Sequence, residues 1–105
     1  MRSNEEIIAQ VKSIVHKYDE HADITFFGSR KRGDWHEESD WDFLILSDIN
    51  VTEKMKGDLR KDILYEIEFK TFESIQTIWH NKKVWEEDYW VTGIYQSIKE
   101  EGTLV

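Results

Sequence analysis

Apolar positions in the first quarter of the chain recur with a helical period. Ile7, Ile8, Val11, Ile14 and Val15 fall on one stripe, and Ser3 with Glu6 forms a capping box ahead of them, predicting a helix that ends near Tyr18. Asp23 to Phe27 (DITFF) is short, rich in β-branched and aromatic residues, and stops at Gly28, as a strand does. Residues 28 to 39 read as a loop or a short helical turn. Trp41 to Leu46 predicts a second strand, and its apolar run from Phe43 suits burial on both faces. Thr52 is a suitable N-cap for a long helix to about Lys70, with Met55, Leu59, Ile63 and Ile67 every fourth residue. Phe72 to Trp79 predicts a third strand. Residues 81 to 91 combine charge and tryptophan without a clear period. Thr92 to Glu101 predicts a last short helix, closed by Gly102 as a C′ residue. The order α-β-β-α-β-α, with an optional turn between the first two strands, predicts an α/β (α+β) domain with a small mixed sheet flanked by helices.

Composition narrows the class. A chain of 105 residues has room for one modest core and so for a single domain over residues 1–105. Five Trp, four Tyr and five Phe argue for a folded core despite 34% charged residues. The absence of Cys excludes disulfide scaffolds, zinc fingers, iron–sulfur clusters and thiol catalysis. No segment approaches the apolar length of a membrane span, and the N-terminal stretch is acidic and helical in pattern, unlike a signal peptide. A cytoplasmic location is the expectation. The formal net charge of −8 weighs against nonspecific DNA binding but permits phosphate ligands that arrive with a divalent cation. Arg30, Lys31 and Arg32 are a local basic exception in this acidic protein.

Candidate chemistry is concentrated in residues 28 to 42. Asp40 and Asp42, two apart on a strand, leave the same face, whereas Trp41 points the other way. Two carboxylates side by side repel, and each raises the other's pKa unless a cation sits between them. Hard oxygen donors without His or Cys suit Mg²⁺ or Mn²⁺. A lone D-x-D is frequent in solvated turns, so the pair by itself carries little. Gly28-Ser29 immediately after a strand changes that balance. Glycine lets the backbone turn and approach a ligand, and a following helical turn would aim its N–H groups and the Ser29 hydroxyl at an anion. Arg30 and Arg32 supply the charge that a polyphosphate needs.

The run G-S-R-K-R-G-x₅-S-D-W-D-F-L-I-L resembles the signature of the polymerase-β-like nucleotidyltransferase superfamily, and among its members the single-domain minimal nucleotidyltransferases. Phe27 fills the leading hydrophobic position; Gly33 and Ser39 also fit the usual form. The resemblance implies transfer of a nucleoside monophosphate, AMP by preference, from a Mg²⁺-NTP to an acceptor hydroxyl with release of pyrophosphate. It implies that Gly28, Ser29, Arg30 and Arg32 bind the nucleotide and that Asp40 and Asp42 carry the metal. A third carboxylate on the neighbouring strand normally completes such a site. Glu73 at the start of the third strand fits that place best, with Glu66 and Glu68 expected to be solvent-facing helix acids. The resemblance further implies a partner supplying the acceptor, as in modules where a minimal nucleotidyltransferase antitoxin AMP-modifies a helical HEPN-type toxin. The competing class is a non-catalytic nucleotide-binding subunit that regulates its partner by contact; a metal-binding domain without transfer would leave Arg30 to Arg32 unexplained.

Other residues have plainer readings. His16 and His21 suit the end of the first helix, His36 reads as a solvent-exposed loop histidine, and His80 follows the third strand with no evident partner. Trp35 could equally stack on a base or cover the sheet edge. Trp85, Tyr89 and Trp90 could cover the core or face a partner.

Overall fold

The computed structural model describes residues 3–34, 36 and 39–105. Helix α1 (Asn4–Tyr18) starts where the capping box places it, with Ser3 accepting from the Glu6 N–H. Strand β1 (Asp23–Phe27) runs into a single turn, α2 (Ser29–Arg32), and then β2 (Trp41–Ser47). Helix α3 (Glu53–Ile63), capped by Thr52, continues through a π-helical segment (Leu64–Glu68) into a last turn, α4 (Phe69–Thr71). Strand β3 (Ile75–Asn81), helices α5 (Lys82–Asp88) and α6 (Gly93–Glu101), and a two-residue strand β4 (Thr103–Leu104) complete the order.

The four strands form one mixed sheet, ordered β3-β2-β1-β4. β1 pairs antiparallel with β2 and with β4, and β2 pairs parallel with β3. Alternation sorts the side chains onto two layers. Ile24, Phe26, Trp41, Phe43, Ile45, Ile75 and Trp79 face Ile7, Val11, Ile14 and Val15 of α1 and Leu59, Ile63 and Ile67 of the long helix. Leu44, with Phe27, Leu46 and Ile78, faces Trp85 of α5 and Ile98 of α6. The expected apolar run of β2 is thus buried from both sides, and β2 is one of the two inner strands.

Three expectations are corrected. The long helix is not a uniform α-helix: an apolar residue at every fourth position overshoots a 3.6-residue turn, and the wider π segment keeps Leu59, Ile63 and Ile67 all buried. The third strand starts at Ile75 rather than Phe72, because Phe72 takes a left-handed conformation (φ 59°) that ends the helix and leaves its ring 93% exposed. Gly102 is in extended backbone (φ −68°), so it is not there for a left-handed cap. A Cβ at Gly102 would lie 2.6 Å from the Ile98 carbonyl and 2.6 Å from Thr25 Cγ2. Close packing of α6 on β1 is what requires glycine. Gly102→Ala is expected to destabilise by about 1–3 kcal/mol through overpacking, read as a lower melting temperature with unchanged secondary structure.

The unread stretch after β3 is α5, started by Asn81, whose Oδ1 accepts from the Lys83 and Val84 N–H groups. Of the aromatic residues there, Trp85 is buried and Trp90 exposed. His80, without an evident partner in the sequence, has two aromatic neighbours. Its ring lies 4.6 Å from that of Tyr89 and 5.9 Å from that of Trp85, and burial, helped by Lys56, holds its pKa below the usual histidine value.

Candidate active site

The site sits at the mouth of β1 and β2, where register places Phe27 opposite Asp42. Gly28 follows at once with φ 85° and ψ −168°, a backbone state essentially reserved for glycine. A Cβ on Gly28 would overlap Asp42 Oδ2. The carboxylate therefore occupies the space a side chain would need, and the turn and the acid are packed as one unit. Turn α2 folds back on Gly28, whose carbonyl accepts from the N–H groups of Lys31 (3.1 Å) and Arg32 (3.0 Å); Gly33 closes it in the left-handed region with φ 91°. This is the helical turn that the sequence left as one of two options, with Ser29 at its first position.

Asp40 and Asp42 are half-buried, and Asp40 acts electrostatically on Asp42. Desolvation first, then the Asp40 charge, push the Asp42 pKa above the ordinary carboxylate range, while Arg32 pulls it down. A crowded, partly desolvated pair of acids with no nitrogen or sulfur donor fits a hard divalent cation, which would relieve the repulsion.

Arg32 and Arg30 fare differently. Arg32 is partly exposed beside the carboxylates, and its guanidinium bonds Glu101 (2.8 Å) and Asp34 (3.3 Å), tying α2 to the end of α6. Arg30 is buried, 4% exposed. Its Nε donates to the Ser39 carbonyl (3.2 Å), one terminal nitrogen reaches Glu73 (3.4 Å), and the guanidinium lies 4.8 Å from the centre of the Trp41 ring. Arg30 thus fastens the loop between the two halves of the motif.

Glu73 lies just before β3 and accepts from Trp41 Nε1 (2.9 Å) as well as from Arg30. Trp41 faces the α1 and α3 layer, opposite to Asp42, so these bonds draw Glu73 to the other side of the sheet. Glu66 pairs with Lys17 at the surface. Glu68 is not solvent-facing: it is 12% exposed, pairs with Arg60, and accepts from the Ile75 N–H (3.0 Å). Among the described residues no group of three His, Cys, Asp or Glu is placed to hold one metal ion.

The residue that β3 sets beside Asp42 is Gln76, its parallel register partner. Sequence reasoning passed over it because the strand was started three residues early. The signal available was the β-prone run Ile75-Gln-Thr-Ile-Trp79, whose alternation puts residue 76 on the face of Asp42. Trp35 lies outside the described residues.

Residues 8–101 match the family model for the nucleotidyltransferase domain, and the chain belongs to that family. The fold is that of polymerase-β-like nucleotidyltransferases. It is similar to a toxin–antitoxin crystal structure with AMP-PNP, with a TM-score of 0.68 and 16% identity over 97% of this chain and 72% of that one. It is also similar to two mutant structures of the toxin–antitoxin MntA-HpeT. Each has a TM-score of 0.64, at 13% and 14% identity, covering 97% and 99% of this chain and 72% of those chains. No curated protein matches the sequence. No described helix is long and apolar enough to cross a membrane.

Proposed function

We propose that the protein transfers a nucleoside monophosphate, AMP by preference, from an NTP to an acceptor hydroxyl on a partner protein. The observation that carries this reading is the packing of Gly28 against Asp42, which joins the phosphate turn to the acid pair. Both ends of a metal-bound triphosphate would meet there. Ser29 and the backbone of α2 hold the β- and γ-phosphates. Arg32, already beside the acids, offsets the charge of departing pyrophosphate. Arg30 supports the loop from beneath. Asp40 and Asp42 would hold Mg²⁺ or Mn²⁺, which when bound would supply charge neutralisation at the α-phosphate. The acceptor oxygen forms a bond to the α-phosphorus, the bond to the bridging oxygen breaks, and the hydroxyl proton passes to water or to a base that the partner presents.

The partner reading rests on the toxin–antitoxin character of the structural neighbours; a helical HEPN-type protein in the cytoplasm is the form we propose. A second reading, a nucleotide-binding subunit that restrains its partner by contact, is favoured by the placement of Glu73 away from the acids and of neutral Gln76 beside them. Incubation with α-labelled ATP, Mg²⁺ and the co-purified partner separates the two. Label on the partner supports transfer, and partner inhibition with no label supports contact.

Nucleotide binding is expected to require the cation. Titration calorimetry should show ATP binding with Mg²⁺ and loss of it in EDTA. Ser29→Ala should weaken the Mg²⁺-ATP complex by ~1 kcal/mol, about fivefold, for one lost hydrogen bond. Unchanged affinity in both experiments would move the phosphate site elsewhere.

A further inference from the structure

The acid pair has one neighbour across the β2–β3 ladder, and its chemistry limits what the site can hold. Asp42 and Gln76 are register partners on parallel strands, so their side chains rise from the same face in adjacent rows. The register is firmly held. Ile75, the residue before Gln76, has its N–H bound by Glu68 (3.0 Å) and its carbonyl by Arg60 (2.8 Å), and Glu68 and Arg60 are themselves paired. A slip of one residue would break both bonds and turn Ile75 outward. Gln76 is therefore a fixed occupant of the row beside Asp42. Its amide can offer an oxygen but no charge.

Charge then sets the capacity. Asp40 and Asp42 together bring two negative charges, and Arg32 acts on Asp42 in the opposite sense. Glu73, the nearest acid in sequence to β3, is spent on Arg30 and Trp41. Among the described residues no third carboxylate joins the pair. Two carboxylates balance one divalent cation. A second cation, close to the first, would meet repulsion with no further carboxylate among the described residues to offset it, and would depend on the triphosphate alone for anionic ligands.

We propose that this site takes a single divalent cation, the one that arrives on the nucleotide, and that Gln76 is the residue that sets this limit. The proposal rests on the nucleotide reading above and deepens it. A single cation would anchor the triphosphate and leave no protein-held metal for the acceptor hydroxyl. Activation of that hydroxyl then falls to the acceptor or to the partner that presents it.

Manganese stoichiometry tests this without relying on turnover. Mn²⁺ is titrated into the protein with a non-hydrolysable ATP analogue, and free Mn²⁺ is read by electron paramagnetic resonance. The parent chain should bind one Mn²⁺ per chain tightly. Gln76→Glu and Gln76→Asp should each gain a second site, tightened at least about tenfold over any weak second binding in the parent. Gln76 is exposed, so both variants should fold. Gln76→Ala should keep the single-site behaviour. Two comparable sites in the parent, or no second site in either acidic variant, would overturn the one-cation proposal while leaving nucleotide binding in place. Absence of nucleotide-dependent Mn²⁺ binding in every protein would instead remove the nucleotide reading and this proposal with it.

Discussion

Asp42→Asn should lower nucleotidyl transfer by about two to three orders of magnitude while leaving the metal-free fold as stable as the parent, or slightly more stable. The substitution keeps the shape that fits against Gly28 and removes one of two like charges. Its stability effect has a defined pH signature. Asp42 titrates above the ordinary range in the folded protein because of burial and then Asp40. The folded state therefore binds more protons than the unfolded state in that window, and metal-free stability falls as pH rises through it. Below the window the carboxyl is protonated in both states and the penalty is absent. Asp42→Asn should flatten this fall, and Mg²⁺-nucleotide should abolish it in the parent. Thermal melts across the acid range, in EDTA and in Mg²⁺ with ATP, measure it beside a transfer assay. If the acids merely capped the strand or paired with Arg32, Asp42→Asn would be less stable and retain its transfer. That outcome would overturn the enzymatic reading of the motif.

Arg30→Met should destabilise the protein by about 3 kcal/mol, enough to lower the melting temperature by more than ~10 °C in a domain of this size. Arg30 is the buried member of a pair with Glu73, itself only 16% exposed. Methionine preserves volume but leaves the carboxylate with Trp41 Nε1 alone, and frees the Ser39 carbonyl from its guanidinium partner. Adding Glu73→Gln should recover part of the loss, since a neutral amide can still accept from Trp41. A cycle of the two single variants and the double variant gives the coupling directly. If Arg30 instead served the nucleotide, Arg30→Met would melt like the parent and lose ATP affinity. Glu73→Gln alone should not change the number of Mn²⁺ ions bound, because Glu73 lies across the sheet from the acids.

What was legible in the sequence was local. The capping box, the DITFF strand, the glycine after it and the D-x-D spacing depend on neighbours a few residues away, and the structure places them accordingly. Asp40 lies one residue ahead of β2 and acts electrostatically on Asp42. The misplaced features have longer-range causes. No pattern marks Phe72 for a left-handed conformation, a state usually left to glycine or asparagine, and so the start of β3 was read three residues early. The same error put Glu73 on the strand and hid Gln76. Glu68 looked like a helix acid facing water, because its partners, Arg60 and the Ile75 N–H, come together only through the turn that Phe72 makes. Arg30 was read with its basic neighbours as a ligand contact, yet its burial depends on Trp41 and Glu73 in other elements. Strand β4, two residues long, has no period to detect.

The clamp on Ile75 has a consequence for how such a site can change over generations. Because Glu68 and Arg60 grip the backbone of Ile75 and not any side chain of the strand, the chain delivers whatever residue stands at position 76 to the same spot beside Asp42. Glutamine and glutamate codons differ by a single base. A lineage carrying this fold can therefore add or withdraw a negative charge next to the acid pair in one mutational step, with no element refolded and no core residue exchanged. Gain and loss of function at this position are neighbours in sequence space, separated by the identity of one exposed side chain.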